Sequence, residues 1–262
     1  MITYKGFNVD FTCRDFQYEF GKEYEIYEKI KVCEKGFHAC ENPLDVLYYY
    51  DMLKSRFAEV EQSGEIDKSE DSTKVCSSKI KIKNELPLVN IAKLGIDWLI
   101  KQGPLVYNDN GYEYIHIGSK SSCDQIGSSG DQVIIASIGD LAQISSSGDY
   151  AKILSIGKDA MIGSSGFHAK IYSRGARAVI NSSGDMAKVE SIGDDSTICC
   201  TGRGSMISAK KDSWITLASW QRKGDTSIWI PKYVKTARVD GKCIKENTWY
   251  KLVDGEFVET CL

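Results

Sequence analysis

Between residues 130 and 210 the chain repeats one short pattern of apolar and polar positions, reset every nine residues. Gly130, Gly139, Gly148, Gly157, Gly166, Gly175, Gly184, Gly193 and Gly202 mark the period. Five residues after each stands Ile135, Ile144, Ile153, Ile162, Ile171, Ile180, Val189, Ile198 or Ile207. The third place is usually Ala and the seventh usually Ser, so a unit reads G-D-x-A-x-I-x-S-(S/I). Places three, five and seven alternate with polar ones, which puts them on one face of a strand. The residue before each glycine alternates (Ser129, Ile138, Ser147, Ile156), so the structural repeat is two such units. A unit this short buries its apolar face only by stacking on its neighbours. The pattern predicts a mainly β fold: a parallel β-solenoid (two-sheet β-roll or β-helix) with 18 residues per coil. Ala and Ile columns would meet between the sheets, and glycine is expected to supply the unusual torsion at each corner.

The pattern fades at both ends. Ile115, Ile117 and Ser119 keep the inward places upstream, with Tyr112 in a glycine slot, and Asp212 keeps the aspartate slot downstream. The solenoid is therefore expected over 112–220, with atypical end units that protect the open sheet edges. Residues 1–85 carry no repeat and read as a small α+β head domain. Its predicted strands are KGFNVDFTC, FQYEFGKEYEIYEKIKVC, RFAEVEQSG and VCSSKIKIK, with a helix starting at Asn42-Pro43. A second helix is expected from near Pro87, within a capping helix and linker over 86–111. Asp240-Gly241 and Asp254-Gly255 punctuate β-type runs in 221–262 and predict a C-terminal β-meander.

A net charge of −3 gives no overall drive toward nucleic acid or an anionic membrane. With no apolar run of membrane-spanning length and no leader pattern, a soluble, unexported chain is expected. Nine scattered cysteines without framework spacing fit reduced thiols in the cytoplasm of a bacterial or infected host cell.

Three N-terminal blocks carry a resemblance. Tyr4–Phe7 reads Y-K-G-F, Cys13–Tyr24 contains C-R-x-F-Q-Y, and Cys33–Asp45 contains C-x-x-G-F-H-A-C-E-N-P-L-D. Together they resemble an uncharacterised domain of phage and prophage proteins, often followed by solenoid repeats. The resemblance implies a phage or mobile-element source and no particular activity.

Four constellations bear on chemistry. His38 and Cys40 share a strand face, and with Cys33 and Cys13 they make a zinc site conceivable, although no C-x-x-C pair is present. The solenoid aspartates Asp131, Asp140, Asp149, Asp185 and Asp194 have a layout similar to the calcium-binding β-rolls of secreted toxins. Those rolls use G-G-x-G-x-D, whereas this chain has one glycine per turn and loses the acid at Lys158, Phe167, Ala176 and Arg203, so the aspartates are expected to cap corners instead. No metal or cofactor is expected. Lys152, Lys170 and Lys188 fall in one outward column, with Tyr150 and His168 on one side and Tyr172 on the other. A cationic column with aromatic neighbours suits an anionic small molecule or an acidic protein surface, while surface lysines also serve solubility. Finally, the Y-x-G start and G-F-H strand are vaguely similar to small ADP-ribosyltransferase folds, for which Glu59 or Glu61 would be the carboxylate.

These readings converge on a non-catalytic binding or interaction protein of phage type. It would recognise a host protein or an anionic ligand, and possible roles include countering host defence. The competing readings are the ADP-ribosyltransferase-like enzyme and a structural protein of the virion or tail.

Overall fold

The computed structural model describes residues 1–102 and 115–262, and the chain divides into two compact units, Met1–Leu105 and Val106–Leu262. The expected linker residues after 102 and Tyr112 in its glycine slot lie outside the described residues.

In the first unit the strands are β1 (Ile2–Phe7), β2 (Thr12–Cys13), β3 (Phe16–Gln17), β4 (Glu23–Glu25), β5 (Phe37–Cys40), β6 (Arg56–Lys68) and β7 (Lys74–Glu85). Five of them form a sheet in the order β4-β7-β5-β1-β6, and β6 also pairs with β7, so the sheet curls back on itself. β6 pairs antiparallel with β1 without a break from Ile2 to Phe7, and with β7 over a longer stretch whose register shifts at Glu59/Val60 and Ser63/Ile66, whereas β1 meets β5 only at Tyr4↔Cys40. Phe7, Phe11, Tyr18, Phe37, Val60, Ile80 and Ile82 pack into one aromatic and aliphatic core.

The Asn42-Pro43 helix start is as expected. Asn42 caps it by accepting the Leu44 N–H at 3.1 Å, through a 3-10 turn Pro43–Asp45 into α1 (Val46–Tyr49). The helix stops where Tyr50 turns to extended backbone, short of the apolar run LDVLYYYDML. The helix near Pro87 is α2 (Leu88–Gln102). Its buried side includes Ile91, Ala92 and Ile96, and Gly95 packs so closely on Leu44 that an added Cβ would meet that side chain at 2.3 Å. The apolar face of α2 is thus spent on the head unit, to which the division of the chain assigns it.

The second unit is the β-solenoid, of about six coils. One sheet stacks His116–Ser119, Ile134–Ser137, Lys152–Ser155, Lys170–Ser173, Lys188–Ser191 and Met206–Ala209 in parallel. The other stacks Gln125–Ser128, Gln143–Ser146, Met161–Ser164, Val179–Ser182, Thr197–Cys200 and Trp214–Arg222. The Ile columns lie in register on both sheets and are buried between them, with Ala at the third place and Ser at the seventh fully buried beside them. Small residues at those two places let the sheets approach closely, and each buried Ile contributes about 1.5–3 kcal/mol.

The corners differ from expectation. The periodic glycines do not carry positive φ; the residue two places later does, with Leu141 at 59°, Tyr150 at 57°, His168 at 57° and Met186 at 60°. Left-handed backbone at a non-glycine residue costs about 1–2 kcal/mol. It is tolerated here because the side chain points outward and the backbone is held: Tyr150 N donates to Phe167 O at 2.7 Å and His168 N to Asp185 O at 2.9 Å, one coil on. Glycine is required for another reason. Successive coils touch at that atom, and a Cβ on Gly175 would stand 1.7 Å from the carbonyl oxygen of Gly157.

The turn aspartates bind backbone, as their caps predict. Asp131 Oδ1 accepts the Asp149 N–H at 2.8 Å, Asp140 the Lys158 N–H at 2.7 Å, Asp149 the Phe167 N–H at 2.7 Å and Asp185 the Arg203 N–H at 2.7 Å. Each carboxylate therefore stitches one coil to the next. Asp149→Ala is expected to cost about 1–3 kcal/mol in chemical denaturation, the range for a charge-assisted bond, with no recovery on adding calcium.

The C-terminal strands are present but divide between the two sheets instead of forming one meander. Trp229–Arg238 pairs antiparallel with Trp214–Arg222, and the hairpin Trp249–Val253 and Glu256–Thr260 joins the lysine sheet through Ile207↔Tyr250. Asp254-Gly255 makes the hairpin turn, whereas Asp240-Gly241 lies in the crossing from one sheet to the other, where Asp240 accepts the Lys242 and Ile244 N–H groups. At its C-terminal edge each sheet ends in antiparallel strands, and Pro231, Lys232 and Lys235 on the outermost strand of one sheet discourage further pairing.

Candidate functional site

The seam where β1 and β5 share a single pair opens into a cavity of about 620 Å³ within the first unit. Its walls are built from the three N-terminal blocks: Tyr4, Lys5 and Gly6; Cys13, Arg14, Phe16 and Tyr18; and Cys33, Gly36, Phe37, His38 and Cys40. Tyr49, Tyr50 and Lys74 also line it, and Asp15 is the one carboxylate among the lining residues. Sequence segments up to seventy residues apart thus meet on one surface.

Lys5 is the unusual member. In β1 it shares a strand face with Thr3 and Phe7, both fully buried, and is itself only 5% exposed. Its Nζ donates to the His38 carbonyl at 3.0 Å and to Cys13 Sγ at 3.4 Å, and lies 5.6 and 5.5 Å from the ring centres of Phe7 and Tyr18. No carboxylate is among these partners. Burial pulls its pKa below the ordinary lysine value, against the opposing effect of Cys13.

Cys13 links Lys5 to Tyr50, whose hydroxyl is 2.9 Å from Sγ. Burial, then the Cys13 contact, raises the Tyr50 phenol pKa. Tyr50 fits against β1 only because residue 6 is glycine: a Cβ there would strike its ring at 2.3 Å. The two-residue loop between β2 and β3 is Arg14-Asp15, and Arg14 is held at φ 54°. Cys33, at φ 67°, is a second left-handed residue on the cavity wall. Strain of this kind at non-glycine residues clusters where a ligand is held. At the rim Phe16 and Tyr49 are exposed, and Lys74 Nζ lies 4.3 Å over the Tyr49 ring. Lys35 also lines the cavity but is paired with Glu28.

The zinc reading finds no support in the side-chain geometry. His38 Nε2 is already occupied, accepting the Cys33 N–H at 2.9 Å, and burial and then Lys5 hold its pKa low. Cys33 Sγ accepts from Lys74 at 3.5 Å, and Cys40 is buried with its thiol pKa raised by burial. Among the described residues no three His, Cys, Asp or Glu side chains converge as a metal set. Glu59 and Glu61, the carboxylates of the enzyme reading, do not line the cavity: Glu59 stands opposite Tyr4 and 3.7 Å from Lys83, and Glu61 is exposed.

Lys152, Lys170 and Lys188 are in register, as are Leu154, Tyr172 and Glu190. The surface they occupy is open in part, with Tyr150 exposed at the corner. All three lysines are half-buried and have partners, Leu154 is fully buried, Tyr172 is 8% exposed, and burial pushes the Tyr172 phenol up to about 12. Tyr150 and His168 occupy the left-handed corner positions, stacked at 5.3 Å with 6° between their planes.

The Lys5 cavity escaped the sequence reading, although one signal was present. A lysine at the middle place of a buried alternating T-x-K-x-F strand is a charge on a core face, where an apolar residue is the rule. Among the described residues no helix is long and apolar enough to cross a membrane. No curated protein and no solved structure matches the chain. A family model does match residues 1–94, the stretch that builds the cavity, and it is described as a Domain of unknown function (DUF7666).

Proposed function

We propose that this chain is a binding protein whose N-terminal domain holds a small anionic molecule with an aromatic ring in the Lys5 cavity. The observation that carries the reading is the convergence of Lys5, Arg14 and Lys74 on aromatic walls without a carboxylate partner for any of them among the described residues. A buried cation lacking a counter-charge is costly, and a ligand anion relieves that cost. Rings of Phe16, Tyr18 and Tyr49 supply stacking area.

The likeness of the N-terminal blocks to phage and prophage proteins supports a host-cell molecule as the ligand and interference with a host defence as its use. Nine free cysteines support residence in a reducing cytoplasm. Phenyl phosphate and adenosine 5′-monophosphate are suitable probes. Wild-type protein saturated to about 100 times Kd gains about 2.7 kcal/mol of stability, visible as a raised melting temperature. The Arg14→Glu, Lys74→Glu variant, altered only at the rim, is expected to lose that shift while melting normally without ligand. No shift with either probe in the wild type refutes the reading.

A further inference from the structure

We infer that the cavity takes an anionic aromatic aldehyde and holds it reversibly as an imine on Lys5 Nζ, with Cys13 and Tyr50 relaying protons. The inference rests on the anion-binding reading and adds a covalent step to it. Lys5 differs from a structural lysine in three ways. It is buried on a cavity wall, it touches aromatic faces and a backbone carbonyl but no carboxylate, and it is in contact with a chain of two groups that both donate and accept, a thiol and a phenol. That chain runs from Nζ to Cys13 Sγ at 3.4 Å and on to the Tyr50 hydroxyl at 2.9 Å. An ammonium in such surroundings is destabilised relative to the amine, which makes a carbonyl-directed nucleophile of lysine.

The step balances without any oxidant or reductant. The neutral amine adds to the aldehyde carbon, forming a C–N bond and a carbinolamine. The oxygen then leaves as water with both amine hydrogens, passed through Sγ and the phenol, and a C=N bond remains. Water reverses the same path. Arg14 and Lys74 at the rim are placed for the anionic group, and Phe16 and Tyr49 for the ring.

The test compares 4-formylphenyl phosphate with phenyl phosphate on the full chain. With sodium cyanoborohydride present, the aldehyde should leave one reduced adduct, mapped by peptide mass spectrometry to Lys5. Labelling should concentrate at Lys5 ahead of the exposed Lys29 and Lys54, since destabilising an ammonium raises the fraction of free amine. Excess phenyl phosphate should suppress it, and Lys5→Arg should abolish it. Wild-type mapping decides the matter even if that variant folds poorly. Labelling spread evenly over surface lysines, or an adduct on Cys13 instead of Lys5, overturns the inference. Binding of phenyl phosphate with no Lys5 adduct from the aldehyde overturns the covalent step alone and leaves the anion site standing. Absence of both overturns the two together.

Discussion

Ile171→Asp is expected to unfold the solenoid, whereas Gln143→Asp leaves it folded. Ile171 is fully buried between the sheets, with Ile153 and Val189 directly beside it in register. Removing its side chain costs about 2–5 kcal/mol through lost burial and the cavity left behind. The carboxylate adds several kcal/mol more, since among the described residues the interior columns are mainly Ile, Val, Ala and Ser with no lysine or arginine. A domain holds only about 5–15 kcal/mol in all, so little or no folded population should survive. Stacked repeats share their interfaces, and the loss should spread to the coils on either side. Gln143 points outward from the opposite sheet and is exposed, so its change should fall within about 0.5 kcal/mol. Hydrogen exchange read on solenoid peptides checks both, because it separates this unit from the head. Equal protection in the two variants would mean that the inward and outward faces are misassigned.

The parts of this fold that could be read in the sequence are those governed by period. Two sheets, 18-residue coils, the Ile columns and the inward Ala and Ser all follow from alternation plus a nine-residue reset. Local caps were equally legible, as at Asn42-Pro43 and in the turn aspartates, because a short polar side chain next to an orphan N–H has few other uses. What escaped was long-range. Nothing local tells Asp240-Gly241 from Asp254-Gly255, yet one turns a hairpin and the other crosses between sheets. The register of the lysine column was correct, but the burial of Leu154 and Tyr172 at outward places is not something periodicity can report. The cavity was hardest to see, because Lys5, Cys13, His38 and Tyr50 converge only through the pairing of β1 with a distant β5 and the packing of a loop. The N-terminal blocks carried that information as a resemblance, without saying where their side chains meet.

Glycine substitutions separate two explanations of the nine-residue clock. If the periodic glycines served the corner torsion, Gly175→Ala would cost about 1–2 kcal/mol, the ordinary cost of a left-handed alanine. The geometry demands more. A Cβ on Gly175 would lie 1.7 Å from Gly157 O, 2.4 Å from its carbonyl carbon and 3.0 Å from Lys158 N, all backbone atoms that cannot swing aside. Relief requires prying the coils apart at that corner, which breaks the axial bonds stitching them, such as Arg177 N to Asp194 O at 2.7 Å and Asp159 N to Ala176 O at 2.9 Å. The expected loss is on the order of 4 kcal/mol or more, in the range reserved for steric and network disruption. Two other glycines calibrate the scale. Gly204 does adopt positive φ, at 71°, and a Cβ there meets only the flexible Met186 side chain, so Gly204→Ala should cost about 1 kcal/mol. Gly163 sits in a strand with open space around it and no positive φ, so Gly163→Ala should be neutral or stabilising by up to about 1 kcal/mol. Urea unfolding of the three variants should therefore rank them Gly175, then Gly204, then Gly163. A Gly175→Ala protein no weaker than Gly204→Ala would return the role of these glycines to torsion and remove close coil contact as the origin of the clock.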